Sequence, residues 1–297
     1  MAVGKKKVAF IINPVSGVSN KKNIPGKAEA VLDKNKFDIE ILKTEYAGHG
    51  YELARQAAAN GADYVIAVGG DGTVNDIGRG LLNSNATMGI IPLGSGNGLA
   101  RDLHISLNVE KALQIINEEH VITMDYGMAN DRVFFCTCGV GFDANVAHKV
   151  AGKKKRGFIM YLKEMTKAFF GNKPEKYEVE SPDGCFNDRK FLITCANTGQ
   201  YGYGAYIAPH ADVQDGLLAV SMLAPINLLN VPKIAIQMFN RTLDKNKKLT
   251  EILTPEVVIK REEEGPMHLD GDSYMEDKEI HVRIIPKGLK VLVPKKR

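Results

Sequence analysis

Three glycine-containing breaks follow three apolar runs in the first half of the chain. The runs cover residues 8–12, 64–68 and 88–91, and the breaks cover residues 13–17, 69–73 and 92–98. A helix-like pattern follows each break, and entirely apolar strands of this kind are typical of a parallel sheet covered on both faces. This repetition of strand, break and helix predicts a layered α/β fold for residues 1–125.

The pattern changes near residue 126, where strands begin to dominate. Strands are predicted over residues 133–137, 177–180, 191–196, 217–222, 256–260, 279–285 and 289–293, and helices over 157–170 and 227–239. Such spacing favours a mainly antiparallel β-sandwich. We therefore predict an α/β domain over residues 1–125 and a β-sandwich domain over residues 126–297, with the C-terminal tail as a segment able to return to the first domain.

Composition narrows the class of partner. The chain has 297 residues and a formal net charge of +4, which suits an anionic ligand or membrane surface and is too weak to indicate nucleic acid. The four cysteines form no Cys-x-x-Cys pair and no secretory signal precedes the first strand, so we expect a cytoplasmic protein with reduced thiols. No uncharged apolar stretch reaches the ~18 residues of a membrane span. We expect any contact with lipid to be transient and from the water side.

The breaks have the chemistry of phosphate loops. Glycine lets backbone N–H groups approach a phosphate closely, and the start of a helix favours anions. In open α/β sheets ligands bind at the carboxyl ends of the strands, where all three breaks lie. Ordinary turns are the alternative reading of any single break. The chain contains no G-x-x-x-x-G-K-[ST] loop, no protein-kinase signature and no G-x-G-x-x-G after a strand.

The ordered set of motifs resembles the diacylglycerol kinase catalytic family, which includes bacterial soluble lipid kinases and sphingosine and ceramide kinases. The motifs are N-P-V-S-G (13–17), G-G-D-G-T-V-N-D (69–76), P-L-G-S-G-N (92–97), N-T-G (197–199), P-H-A-D-V-Q-D-G-L-L (209–218) and L-D-G-D (269–272). The G-G-D-G-T motif alone is also found in NAD kinases and resembles a phosphofructokinase loop. The combination is more specific, and it covers nearly the whole chain.

The resemblance implies an α/β nucleotide domain, a C-terminal β-sandwich, an active site in the cleft between them, and transfer of the γ-phosphate of ATP to a lipid hydroxyl with Mg²⁺. Phosphoryl transfer depends mainly on positioning and charge stabilisation. The nucleotide-binding residues that it implies are Asn13, Ser16, Thr44, Gly70, Gly72, Thr73, Asn75, Gly94, Ser95, Gly96 and Asn97. A surface turn remains the alternative for Thr44.

Two acids are candidates for the general base. In the sphingosine-kinase branch the residue matching Asp71 has this role, whereas in the bacterial branch it belongs to the last residue of Asp-Gly-Glu, here Asp272. Aspartate is shorter than glutamate by one methylene, so its carboxylate is withdrawn by about 1.5 Å. Asp71 or Asp272 is therefore expected to be catalytic, with Asp71 also a candidate for Mg²⁺.

The resemblance also implies a structural Mg²⁺ site. The side chain of Asp215 would bind the ion together with the backbone carbonyls of Asp212 and Leu217, and such hard oxygen ligands suit magnesium. An ordinary Asp-Gly hairpin turn is the alternative.

Two further features concern the lipid. Gly98 stands where many diacylglycerol-kinase members have aspartate, and a small residue there is closer to sphingosine-kinase loops, so we expect it to influence headgroup specificity. The basic segment 153–156, followed by apolar residues, is a candidate for docking on anionic headgroups. The alternative for this segment is a solvated loop before a core helix.

These observations favour an ATP-dependent lipid kinase that acts on diacylglycerol or a related lipid, with a sphingoid base as the second substrate. Two hypotheses of other classes remain: a kinase of a soluble substrate such as NAD, and a nucleotide- or lipid-binding regulator without turnover. The expected partner is a lipid at the membrane surface. Members of the family often dimerise, so a homodimer is possible.

Overall fold

The computed structural model describes residues 4–15, 23–151, 169 and 174–295. Contacts divide the chain into two compact units, Met1–Met124 with Lys287–Arg297, and Asp125–Pro286. The predicted helix over 157–170 lies outside the described residues except for Phe169, and so does the basic segment 153–156. Among the residues described, no helix is long and apolar enough to cross a membrane.

The first unit is an α/β layer structure. Its elements are β1 (Lys6–Ile12), α1 (Ile24–Val31), β2 (Phe37–Lys43), α2 (His49–Ala59), β3 (Tyr64–Gly69), α3 (Asp71–Leu81), β4 (Thr87–Pro92), α4 (Gly98–Asp102) and α5 (Val109–Glu118). The four strands form a parallel sheet in the order β2-β1-β3-β4. Every residue of β3 and β4 is buried, as expected for strands with helices packed on them. The predicted α/β fold is confirmed.

Helix α5 was not among the predicted elements. Ala112, Leu113, Ile115 and Ile116 form its buried face. Asn108 caps the helix, because its Oδ1 accepts the backbone N–H of Lys111 at 3.1 Å. An N-cap asparagine before an i, i+3, i+4 apolar pattern is a recognisable helix start.

The second unit consists mainly of strands. Its elements are β5 (Val121–Ala129), which begins in the first unit, β6 (Arg132–Phe134), β7 (Thr137–Gly141), α6 (Phe142–Val150), β8 (Glu175–Ser181), β9 (Gly184–Lys190), β10 (Leu192–Ala196), β11 (Leu218–Leu223), α7 (Val231–Phe239), a 3-10 helix (Leu243–Lys245), β12 (Leu249–Thr254), β13 (Glu256–Arg261), β14 (Gly265–Leu269), β15 (Asp272–Glu276) and β16 (Glu279–Leu292), which ends in the first unit.

Two antiparallel layers share one apolar core in this unit. One layer has the order β12-β11-β10-β7-β14-β15, and the other contains the order β16-β13-β8-β9. The core between them includes Ile193 and Val220 from the first layer and Val179 and Ile259 from the second, all at most 1% exposed. This arrangement confirms the predicted β-sandwich.

Candidate active site

The three predicted phosphate loops lie at one edge of the parallel sheet. The N–H of Asn13, just after β1, donates to Val68 O at 3.2 Å, and the N–H of Leu93, just after β4, donates to Gly69 O at 2.7 Å. On the other side of β1, the N–H of Thr44 donates to Ile12 O at 3.0 Å. Because β2, β1, β3 and β4 are adjacent and parallel, their carboxyl ends bring these loops together. The predicted residue Ser16 lies outside the described residues.

Glycine is required where the second and third loops meet. A Cβ added to Gly94 would lie 2.5 Å from the Cα of Gly70, and one added to Gly70 would lie 3.1 Å from the Cα of Gly94. Real Cβ atoms essentially never come as close as 2.5 Å to another backbone, so a side chain at position 94 would push the loops apart. The two glycines therefore allow direct backbone-to-backbone packing of the loops.

Asp71 holds the third loop against the second. Its Oδ2 accepts the N–H of Asn97 at 2.9 Å, and its Oδ1 accepts the N–H of Gly98 at 2.7 Å. These N–H groups stand at the start of α4, where a negative charge is favourable. The carboxylate predicted to be catalytic thus has a defined structural task, because it fixes the position of the third loop.

Two asparagines stabilise the loops from within. The Asn97 side chain makes two bonds to Gly94, accepting its N–H at 2.9 Å and donating to its O at 2.8 Å. Asn13 donates its side-chain N–H to Thr73 Oγ1 at 3.2 Å, which connects the first loop to the second. The loops therefore form one hydrogen-bonded assembly around Asp71.

Several N–H groups around this assembly are suited to phosphate. The first N–H groups of a helix have no acceptor within the helix, and α3 begins at Asp71 with Gly72 and Thr73 in its first turn. Gly72 is exposed with open space beside its Cα, and Ser95 is exposed in the third loop. Asn75 follows in the same helix, and Gly96 lies so near Asp71 that an added Cβ would be 2.9 Å from its Oδ2. The described geometry fits a bound nucleotide phosphate chain.

The late Asp-Gly-Asp motif forms a tight hairpin in the second unit. Asp270 and Gly271 connect β14 to β15, and both have positive φ, 50° and 90°. This is the two-residue turn that Asp-Gly favours. The carboxylate of Asp270 accepts the N–H groups of Phe135, Cys136 and Thr137 at 2.9, 2.7 and 3.1 Å.

The two acids of the motif therefore differ in their surroundings. Asp270 anchors the hairpin to the strand connection between β6 and β7, whereas Asp272 is exposed at the first position of β15. In the hairpin, Asp272 of β15 lies opposite Leu269 of β14, and the next cross-strand pair is His268 with Ser273. Because side chains alternate along a strand, these two pairs point to opposite faces of the sheet. An exposed carboxylate on an anchored turn is suited to accepting a proton from a substrate.

A buried polar cluster beneath this hairpin was not predicted from the sequence. Asp143, in the first turn of α6, accepts hydrogen bonds at its Oδ2 from Thr194 Oγ1 at 2.9 Å and Tyr201 OH at 2.7 Å. His268 Nε2 of β14 lies 3.1 Å from the same oxygen, and both members of this pair are less than 8% exposed. At the other end of α6, His148 Nδ1 lies 3.2 Å from Ser273 Oγ. Helix α6 is thus attached at both ends to the hairpin that carries Asp272.

The predicted magnesium ligands lie in a turn that leads to β11. Asp215 Oδ1 accepts the N–H of Leu217 at 2.9 Å, and Asp212 Oδ1 accepts the N–H of Gln214 at 3.0 Å. Nearby, the buried Asp125 accepts the N–H of Gly216 at 2.8 Å.

The charge of this turn would suit a cation. Partial removal from water raises the pKa of Asp215 above its usual range; the Leu217 N–H opposes this rise, and the charges of Asp212 and Asp125 add to it. In the described part of the chain, however, no three His, Cys, Asp or Glu side chains are placed to hold one ion. A bound Mg²⁺ would therefore need backbone carbonyls and water as further ligands.

Comparison with known proteins agrees with this two-part construction. Residues 7–129 match the diacylglycerol kinase catalytic domain, and residues 136–293 match the YegS C-terminal NAD kinase beta sandwich-like domain. A probable lipid kinase YegS-like protein of Chromohalobacter salexigens is 30% identical over 263 residues, which cover 86% of this chain and 84% of the relative. A probable lipid kinase YegS-like protein of Yersinia pestis (strain Pestoides F) is 26% identical, with 86% and 87% covered.

Solved structures share the fold. A putative diacylglycerol kinase from Bacillus anthracis str. Sterne has a TM-score of 0.81 at 22% identity, with 98% of this chain and 96% of that one covered. An NAD kinase from Archaeoglobus fulgidus in complex with ATP has a TM-score of 0.56 at 14% identity, with 98% and 94% covered. Because both domains match and the relative from Chromohalobacter is 30% identical over most of its length, the chain belongs to the YegS-like lipid kinases. It is a kinase with a diacylglycerol kinase catalytic domain.

Proposed function

We propose that this enzyme transfers the γ-phosphate of ATP to the hydroxyl group of a lipid, either diacylglycerol or a related lipid alcohol. The observation that carries the proposal is the attachment of two glycine loops to each other by the Asp71 carboxylate, at the start of α3. Gly72 and Thr73 lie in the first turn of α3, beside this attachment, and the N–H groups of a first helical turn favour an anionic ligand. The names of the related lipid kinases support a lipid as acceptor.

The proposal gives the two candidate acids different roles. Both oxygens of Asp71 accept N–H groups of the third loop, so we assign it to positioning the phosphate loops. Asp272 is exposed on its hairpin, so we assign it as the general base. In the reaction, the lipid oxygen forms a bond to the γ-phosphorus while the bond from that phosphorus to the leaving ADP oxygen breaks. The hydroxyl proton passes to the carboxylate of Asp272.

Magnesium, when bound, supplies positive charge that offsets the phosphate charge during transfer or stabilises a structural turn. Of the residues predicted to hold it, Asp215 with the carbonyls of Asp212 and Leu217 forms the structural candidate. Burial raises the pKa of Asp215, and the negative charges of Asp212 and Asp125 raise it further, so a cation that offsets this charge would be favoured in the turn.

The small residue at position 98 supports a sphingoid base as the second candidate substrate. The N–H of Gly98 is 2.7 Å from Asp71 Oδ1, so an aspartate at position 98 would add a second carboxylate beside Asp71. Without that acid, the region carries less negative charge. We propose that this difference affects which headgroups are accepted, with action at the cytoplasmic side of a membrane.

Transfer of label from [γ-³²P]ATP tests the function. Wild-type protein with Mg²⁺ is incubated with diacylglycerol, sphingosine or ceramide in mixed micelles, and separately with NAD. Label in a lipid product is expected. Label in NAD alone would support the soluble-substrate alternative, whereas ATP binding without any labelled product would support a regulator without turnover.

A further inference from the structure

An apolar surface in the second unit is distinct from the residues assigned above. We define the α7 surface as the turn before α7 together with the outward side of that helix. Its four large apolar side chains are Leu228, Leu229, Ile236 and Phe239, which are 55%, 87%, 61% and 52% exposed. Single exposed apolar residues are common, but four within twelve residues of sequence are typical of an interaction site.

Helix α7 is apolar on two sides. Its inner side contributes Ile234, which is 7% exposed, and Met238 to an apolar cluster of the second unit. Ile236 and Phe239 lie one turn apart on the outer side. Lys233 and Gln237 are the only polar residues among the nine of the helix. A helix that is apolar on both its inner and outer sides is expected to meet a second apolar phase.

The exposed leucines are held in place by a turn that does not depend on them. Asn227 Oδ1 accepts the N–H of Leu229 at 3.1 Å, and Asn230 Oδ1 accepts the N–H of Asn227 at 3.1 Å. The turn is closed by the asparagine side chains and by backbone groups, so the side chains of Leu228 and Leu229 are not needed to close it. These two exposed side chains are therefore available to bind a partner.

Basic residues are frequent in the sequence of α7 and of the segment that follows it. Residues 225–248 contain five cationic side chains, Lys233, Arg241, Lys245, Lys247 and Lys248, against the single acid Asp244. The segment that follows α7 packs beside it, because Asn246 donates to Gln237 Oε1 at 2.7 Å. An exposed apolar helix face within a lysine-rich segment is the combination that binds anionic lipid surfaces.

The same helix contacts the loop that reaches the buried polar cluster. The N–H of Tyr206 donates to Met238 O at 3.0 Å, and the guanidinium of Arg241 lies over the Tyr206 ring at 4.0 Å from its centroid. The loop then leads back to Tyr201, which donates to Asp143. A surface bound through α7 is thus connected by direct contacts to the residues beneath the Asp272 hairpin.

We propose that the α7 surface docks the enzyme on an anionic lipid bilayer, with Leu228, Leu229, Ile236 and Phe239 entering the headgroup region and the lysines contacting anionic headgroups. The reason for such docking rests on the proposed function, since a lipid acceptor is held in a membrane. Binding itself requires neither ATP nor turnover. It is therefore measured without either.

Fluorescence provides a direct test, because the natural sequence contains no tryptophan. Leu229→Trp introduces a single reporter on the α7 surface, and Leu107→Trp introduces one at a 43% exposed position of the first unit as the matched control. Vesicles of phosphatidylglycerol and phosphatidylcholine should shift the emission of Leu229→Trp to shorter wavelength and leave Leu107→Trp unchanged. An unchanged Leu229→Trp spectrum, while the protein cosediments with those vesicles, would overturn the proposal.

Sedimentation with vesicles provides the second measurement. Leu229→Ser with Phe239→Ser should weaken binding to anionic vesicles roughly tenfold or more, because two large apolar side chains no longer enter the lipid. Leu107→Ser should bind like wild type, and high salt should weaken wild-type binding. Phosphatidylcholine vesicles alone should bind less.

Two outcomes would separate this proposal from its alternatives. Activity on micellar lipid should be unchanged in the double variant, so loss of vesicle binding with retained activity supports docking. Absence of activity in the wild type would count against the proposed function and not against docking. If the double variant instead turns a dimer into a monomer in analytical ultracentrifugation and binds vesicles like wild type, the surface contacts a second copy and the docking proposal is wrong.

Discussion

Asp71 Oδ1 accepts the N–H of Gly98 at 2.7 Å, and this bond ties the first residue of α4 to the first residue of α3. The second oxygen of Asp71 accepts the N–H of Asn97 at 2.9 Å. One carboxylate therefore determines the relative position of two phosphate loops. Its effect on catalysis is expected to come from that position as well as from its charge.

Asp71→Asn should abolish most turnover while the fold is retained. The amide keeps one acceptor oxygen but places an NH₂ group against the N–H of Asn97 or Gly98, so the third loop shifts. A displacement of about 1 Å can lower the rate about a hundredfold. Steady-state kinase activity, circular dichroism and ATP titration measure the outcome. The exposed Asp38→Asn in β2 is the control, and near wild-type turnover in Asp71→Asn would refute the positioning role.

Gly94→Ala should separate the two loops. The added Cβ would stand 2.5 Å from the Cα of Gly70, whereas a Cβ on Gly72 meets nothing within 4 Å. Overpacking of this kind costs about 1–3 kcal/mol of stability. Gly94→Ala should therefore unfold at a lower temperature and bind ATP more weakly. Gly72→Ala, the matched control, should unfold like wild type; equal unfolding temperatures for both variants would contradict the observed packing.

Asp270→Ala should destabilise the second unit. Its carboxylate accepts three backbone N–H groups, from Phe135, Cys136 and Thr137, and their loss costs about 2–3 kcal/mol in the free energy of unfolding. Denaturant unfolding measures this change. The exposed Asp183→Ala in the turn between β8 and β9 should change stability by less than about 0.5 kcal/mol. Similar values for the two variants would mean that the hairpin is held by other contacts.

Asp215→Asn tests the proposed structural magnesium site. Because the folded-state pKa of Asp215 is raised, its stabilising contribution is complete below the unfolded-state pKa and is lost as the pH rises through the folded-state pKa. At neutral pH without metal, Asp215→Asn should therefore be as stable as wild type or more stable.

With added Mg²⁺, wild type should become more stable than Asp215→Asn. Wild type should gain thermal stability with increasing Mg²⁺, because the ion binds only the folded turn, while Asp215→Asn should gain none. Asp183→Asn should respond like wild type. An equal gain in Asp215→Asn and wild type would mean that Asp215 is an ordinary turn residue.

Local sequence signals were sufficient for the α/β layer and its loops. Fully apolar runs such as 64–68 indicate buried parallel strands, and the glycines after them indicate close backbone approach. The direct contact of Gly70 with Gly94 follows from the adjacency of β3 and β4, which no local pattern specifies.

Contacts distant in sequence were harder to predict. Asp143 and His268 are 125 residues apart and meet only because α6 packs on the β14–β15 hairpin. The prediction of two strands, 279–285 and 289–293, was wrong, because one strand covers both. The Pro-Lys-Gly sequence at 286–288 between them resembles a turn. Lys287 takes a left-handed conformation at φ 53°, and β16 continues through it as one strand. A single residue of positive φ can form a bulge without ending a strand.

The most direct test of the account compares wild type with Asp272→Asn and Asp272→Glu in the transfer of label from [γ-³²P]ATP to diacylglycerol in mixed micelles. If Asp272 is the general base, Asp272→Asn should lose about a hundredfold or more in turnover with unchanged unfolding, and Asp272→Glu should retain activity. Labelled lipid from wild type, with about a hundredfold less or lower still from Asp272→Asn, is the predicted result. Equal labelling by wild type and Asp272→Asn would contradict the proposed base, and no labelled lipid from wild type with any lipid alcohol would contradict the proposed reaction.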